Sequence, residues 1–337
     1  MPLPLILAGP IVRRVTARSV SVWVALAQGA DVTLNIWDKV IATGPGTSVF
    51  VPVDAALHTA TRHTLRIGDK LHIALVTIDV PPAPAAPLFP GKLYSYNLSF
   101  NPATGNADLK SEGLLEDRFA TADKPIPNLA LGYMPGFLPS FVPPPVTIDK
   151  LNLVHGSCRK MHGPGKDTLA VLDSLIRQAV NDNDPDQRPH QLFLTGDQIY
   201  ADEIPTLMMP AINALGQELL GVREDLKAKK HNGTLDTYEA SLAKFPAARR
   251  QRVVTRNARF TTGSGESHLL SFGEFAATYL MGWNNALWPA ELYASDAVLK
   301  AKTDFLDTWD TDPLTTVEQD LAPLDADEQK KYAAETA

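Results

Sequence analysis

The chain has 337 residues and a mass of 36.6 kDa, which at roughly 150 residues per domain predicts about two domains. Hydrophobic residues make up 45% and charged residues 20%, enough to bury a sizeable core, and this argues against bulk disorder. Lys and Arg total 31 against 38 Asp and Glu, a net charge of −7, which argues against a nucleic-acid scaffold or a binder of anionic membranes.

Residues 1–122 read as an all-β domain. Apolar or alternating runs recur at Val20–Leu26, Val32–Trp37, Leu71–Ile78 and Leu93–Phe100. Turn-rich stretches such as Gly44-Pro45-Gly46 and Pro81-Pro82-Ala83-Pro84 separate them, the grammar of a β-sandwich. Arg13-Arg14 is a twin-arginine pair of the kind found in some export signals. The residues that follow contain another arginine and then alternate with period two, so they predict a strand rather than a signal peptide. A cytoplasmic location is therefore expected. No apolar run approaches the ~18–20 residues of a membrane span. His58, His63 and His72 lie close in sequence. His72 alternates with Leu71 and Ile73 on a strand, and His58 and His63 read as a polar approach to it, not as a shared metal site.

Residues 123–148 are a proline-rich connector with interleaved apolar residues, including Leu129, Leu131, Tyr133, Phe137 and Phe141. Proline favours stiff, extended backbone, and the apolar residues predict that the segment packs against its surroundings.

The pattern changes in residues 149–337. Leu151–His155 is a short apolar run ending in Gly156-Ser157-Cys158. Asp167–Val180 has helical spacing, with Leu169, Leu172, Leu175, Ile176 and Val180 on one face. Gln191–Thr195 is a second buried run, ending in Gly196-Asp197. Strand, helix, strand predicts a parallel pair covered by a helix. Helices are expected at Thr206–Leu220, Asp236–Arg256, His268–Leu287 and Ala297–Trp309. From Asp304 onward ten carboxylates face two lysines, a solvated acidic surface.

Ligands in open α/β sheets bind at the carboxyl ends of the strands. The first predicted strand delivers His155, Ser157, Cys158 and Arg159; the second delivers Asp197, Gln198, Tyr200, Asp202 and Glu203. Cys158 is the only cysteine, which excludes intramolecular disulfides, CxxC zinc sites and cysteine-held iron–sulfur clusters. A lone cysteine is commonly a small buried hydrophobe. Next to Arg159-Lys160 its thiolate is favoured, as a metal ligand or as a nucleophile with His155 or His162 as base. Asp197 is equally suited to capping a helix, and Tyr200 to a core position. Aspartate in a tight turn with tyrosine three residues on can also aim two oxygens at one centre.

The segments Val154-His155-Gly156-Ser157-Cys158-Arg159-Lys160 and Leu194-Thr195-Gly196-Asp197-Gln198-Ile199-Tyr200-Ala201-Asp202 resemble the alkaline phosphatase D (PhoD-like) family, an offshoot of the calcineurin-like metallophosphoesterases. Gly9–Thr16 is similar to the start of that family's N-terminal sandwich. Ala130–Tyr133 and Leu138–Phe141 resemble its connector. His268–Phe275 and Leu287-Trp288-Pro289 resemble its later helical insert. The resemblance implies an immunoglobulin/fibronectin-like sandwich followed by an α/β metallophosphoesterase domain. It implies a mixed-metal centre of iron with calcium that hydrolyses phosphomonoesters or phosphodiesters. By motif position, the resemblance implies Cys158 as an iron ligand, Asp197 as a bridging carboxylate and Tyr200 as a phenolate ligand, with a metal-bound hydroxide as nucleophile. Arg159 would stabilise phosphoryl oxygens, His155 is a further catalytic candidate, and Gln198 and Asp202 are candidates to support the ligands.

The family closes its metal site with an Asp-Asp-His segment and later histidines. This chain contains no Asp-Asp pair, and its last histidine is His268, so the final 69 residues contain none. The expectation is a partial metallophosphatase domain, C-terminally truncated, that acts with a complementing C-terminal half or another protein. Two alternatives compete with it. One is a catalytically inactive binding module that uses the sandwich and half-sheet for protein contacts. The other is a cysteine hydrolase built on Cys158 and His155.

Overall fold

The computed structural model describes residues 2–116, 130–160, 168–205, 208–229, 235–239, 250–251, 254–255 and 260–288. Residues 123–129 of the connector, His162, the expected helix 297–309 and the acidic tail lie outside them. The chain divides into two compact units, Met1–Gln198 and Ile199–Ala337.

The first unit begins with nine strands: β1 (Ile6–Thr16), β2 (Ser19–Leu26), β3 (Ala30–Trp37), β4 (His58–His63), β5 (Leu65–Gly68), β6 (Leu71–Asp79), β7 (Tyr94–Pro102), β8 (Ala107–Asp108) and β9 (Ser140–Phe141). One sheet has the order β1-β2-β6-β5; the other runs β4-β3-β7-β8, with β9 also on β7. All these pairings are antiparallel. Period-two alternation places the core. Val20, Val22, Val24 and Leu26 of β2 and Ala74, Val76 and Ile78 of β6 are buried; so are Val32, Leu34 and Ile36 of β3 and Tyr96, Leu98 and Phe100 of β7. The two sheets share this single apolar cluster.

The runs expected at 20–26, 32–37, 71–78 and 93–100 are β2, β3, β6 and β7. His58 and His63 differ from expectation: they are the two ends of β4, paired with Ile36 and Asp31 of β3. Threonine and alanine between them satisfy an edge strand without an apolar alternation. The connector is anchored where it is described: β9 pairs with Tyr94 and Ser95, and Tyr96 N donates to Pro139 O over 2.9 Å.

The first unit ends with β10 (Leu153–Gly156), α1 (Leu169–Asn181) and β11 (Gln191–Leu194). β10 and β11 are parallel and in register, Leu153 opposite Gln191 through Gly156 opposite Leu194. The strand–helix–strand reading is realised, with a two-stranded parallel sheet among the described residues. The apolar face of α1 is therefore not covered as expected: Ala179 is its one buried residue, and Leu175 is 45% exposed.

The second unit contains α2 (Met209–Leu220), an antiparallel pair of β12 (Asp225–Lys229) and β13 (Leu235–Glu239), and α3 (Phe272–Trp283). β13 corrects the helix expected from Asp236. Leu235-Asp236-Thr237-Tyr238-Glu239 carries two β-favouring residues and pairs along its length with β12. α2 starts at Met209 with Pro210 in its first turn, where the missing N–H is harmless. α3 starts at Phe272 and not at His268, because Ser271 and Glu274 form a capping box. α2 and α3 cross with their backbones in contact: a Cβ on Gly216 would sit 2.6 Å from the Gly273 carbonyl carbon. No described helix is long and apolar enough to cross a membrane.

Candidate functional site

The candidate site of the first unit is built where β10 and β11 end. The parallel pairing continues past the strands through three backbone bonds. Thr195 N donates to Gly156 O at 3.1 Å, Gly196 N to Ser157 O at 3.0 Å, and Arg159 N to Asp197 O at 2.8 Å. The loop after β10 and the loop after β11 therefore run side by side, and Cys158 and Asp197 come from the same strand ends. A side chain at position 196 would force its neighbours to move. A Cβ there would lie 2.4 Å from Cys158 Sγ and 2.8 Å from Ser157 Oγ, closer than any real contact. The Gly-Asp and Ser-Cys dipeptides read from the sequence are thus two halves of one packed turn.

His155, Cys158 and Asp197 are exposed, and Arg159 is half-buried. His155 Nε2 lies 2.8 Å from Thr195 Oγ1, so the imidazole is engaged by the hydroxyl across the strand ends and not by Cys158. Cys158 Sγ lies 3.4 Å from Ser157 Oγ. Gln198 Nε2 donates to Ser157 O at 3.3 Å and to Gly196 O at 3.1 Å. Its Oε1 is buried and has no hydrogen-bond partner among the described residues. Thr195 did not stand out in the sequence; its signal was its place one step beyond the apolar run, on the register that faces His155.

Tyr200 and Asp202 belong to the second unit. Tyr200 O accepts from Glu203 N at 3.4 Å, and Asp202 Oδ2 accepts from Thr262 Oγ1 at 2.9 Å. The following residue, Ala201, is fixed by Leu269 N, which donates to its carbonyl over 2.8 Å.

A thiolate and a carboxylate suit a first-row transition metal. Two side chains hold such an ion only with further ligands, since even closed tetrahedral sites use four. Among the described residues no group of three or more His, Cys, Asp or Glu converges to hold a metal ion. Cys158 and Asp197 are thus chemically fit to be part of a metal centre and do not make one alone. No family model matches the chain, and no curated protein matches it in sequence.

Proposed function

We propose that the chain carries part of the active site of a metal-dependent phosphoesterase of the PhoD-like type. On this reading it comprises an immunoglobulin/fibronectin-like sandwich followed by part of an α/β metallophosphoesterase domain. The observation that supports this best is the delivery of Cys158 and Asp197, side by side, by two parallel strand ends whose loops are stitched by three backbone hydrogen bonds. On this reading Cys158 and Asp197 would be ligands of iron and calcium, Tyr200 is a further candidate by motif position, and additional ligands would complete the centre. When bound, the ions supply charge neutralisation and water activation for attack on phosphorus. The chain's own groups do the rest. The Arg159 guanidinium orients phosphoryl oxygens by two-point donation. His155, steadied by Thr195, exchanges a proton with the leaving group.

The test is metal content and hydrolysis of nitrophenyl phosphate mono- and diesters by the purified chain supplied with iron and calcium. Cys158→Ser and Asp197→Asn should each lower bound iron and any hydrolysis. Activity that survives a chelator but not iodoacetamide would instead establish a cysteine hydrolase. The inactive binding module is a second reading, favoured by the exposure of Leu153, Leu192 and Phe193 on the two-stranded sheet. A wild-type chain that binds no stoichiometric iron and shows no hydrolysis would decide for that module.

A further inference from the structure

We propose that Gln198 is the positioning residue of this site, a clamp whose amide fixes the separation of Cys158 and Asp197. The proposal rests on the phosphoesterase reading only for its catalytic consequence. A glutamine amide nitrogen has two hydrogens, and here each meets a backbone carbonyl on a different loop: Ser157 O at 3.3 Å after β10, and Gly196 O at 3.1 Å after β11. Each clamped carbonyl stands one residue before a candidate ligand. Ser157 precedes Cys158, and Gly196 precedes Asp197.

The amide orientation is fixed by these acceptors. Turned over, Oε1 would face two carbonyl oxygens, acceptor against acceptor. In this orientation Oε1 is buried and has no hydrogen-bond partner among the described residues. The contacts close on themselves. Gly196 N donates to Ser157 O, Gln198 donates to both Ser157 O and Gly196 O, and a Cβ on Gly196 would meet the Cys158 sulfur at 2.4 Å. Loss of the clamp removes both side-chain bonds from Gln198 to the two loops, so the spacing of Ser157 and Gly196, and of the residues that follow them, is held less tightly.

The experiment compares the full chain with Gln198→Leu, which removes the donor, and Gln198→Glu, which sets carboxylate oxygens against two carbonyls. Amide hydrogen exchange at Thr195, Gly196 and Arg159 should quicken about tenfold in both, the worth of about two neutral hydrogen bonds at most. The amides of β2 and β6 should not change. Unchanged exchange at those three amides, or an equal rise throughout the sheets, overturns the clamp. If the wild type shows no metal-dependent hydrolysis yet the three amides respond, the clamp stands and the phosphoesterase reading falls. If hydrolysis is present and the amides do not respond, the clamp alone falls.

Discussion

Arg250 and Glu274 meet as a fork in the interior of the second unit, Nη2 2.8 Å from Oε1 and Nη1 3.1 Å from Oε2, each residue only 1% exposed. Both charges are also satisfied by neighbours. Arg250 Nη1 donates to His268 O at 2.7 Å, while the carboxylate accepts from Asn213 Nδ2 at 2.6 Å and from Leu270 N at 2.7 Å. The pair thereby ties α2, the stretch before α3 and the α3 cap into one polar knot.

Breaking that knot from one side strands a buried charge. Glu274→Ala and Arg250→Ala should each cost about 3–5 kcal/mol, while Arg250→Met with Glu274→Leu should recover much of the loss. Urea unfolding of the two single variants and the double variant measures this directly. Losses below about 1 kcal/mol for both single variants would show that the pair does not organise the unit.

Gly196→Ala tests the packing of the strand-end turn. The new methyl would have to displace Cys158 Sγ, 2.4 Å away, and Ser157 backbone at 3.0 Å. The expected cost is about 1–3 kcal/mol, typical of overpacking. Gly156→Ala is the control, because its Cβ meets only the end of the Leu194 side chain, Cδ2 at 3.1 Å, and should cost less. Denaturant midpoints of the two variants give the comparison; equal midpoints would refute the tight turn.

What the sequence disclosed follows from what it encodes locally. β6 was legible because one face is buried and the other wet, so Leu71, Ala74, Val76 and Ile78 alternate with exposed Leu75, Thr77 and Asp79. β4 was not, because an edge strand with mostly exposed residues has no apolar alternation to read. β13 was read as helix because its identity rests on pairing with β12, a non-local partner. The candidate site was legible as far as the strand ends, where apolar runs stop at Gly156 and Gly196. The bond from His155 to Thr195, the Gln198 clamp and the Arg250–Glu274 fork depend on register and tertiary approach, which residue spacing does not carry.

Arg188 links the strand–helix–strand segment to the connector. Its Nη1 and Nη2 donate to Ser140 Oγ and Ser140 O at 2.8 and 2.6 Å, and its guanidinium lies 5.7 Å from the centroid of the Tyr133 ring. Burial pushes the guanidinium's pKa down and the Tyr133 phenol up, as expected for polar groups drawn out of water. Arg188→Lys keeps the charge but loses the planar fork, and should cost about 1.5–3 kcal/mol. Exchange of the β9 and β11 amides should quicken together in that variant. If only β11 responds, the link through Ser140 is not what holds the two elements.

His190 makes the β10–β11 pair sensitive to acid. Its Nδ1 accepts from Asn152 N at 3.1 Å, and its own backbone N donates to Asn152 O at 2.9 Å, at the entrance to both strands. Accepting at Nδ1 requires that nitrogen to be unprotonated. Burial lowers the imidazole pKa below its ordinary 6.5, against the opposing pull of Asp186. Between the ordinary and the lowered value the unfolded chain binds more protons than the folded one. Stability from this group is therefore complete above pH 6.5 and falls as pH drops through that window. Asp173 acts in the opposite sense, because burial raises its carboxyl above 3.8 despite Arg177, so its contribution is lost as pH rises. Subtracting the pH profile of His190→Gln from that of the wild type isolates the histidine. The difference in unfolding midpoint should be flat above pH 6.5 and should shrink below it; a difference that grows on acidification would mean that the ring is charged in the folded protein.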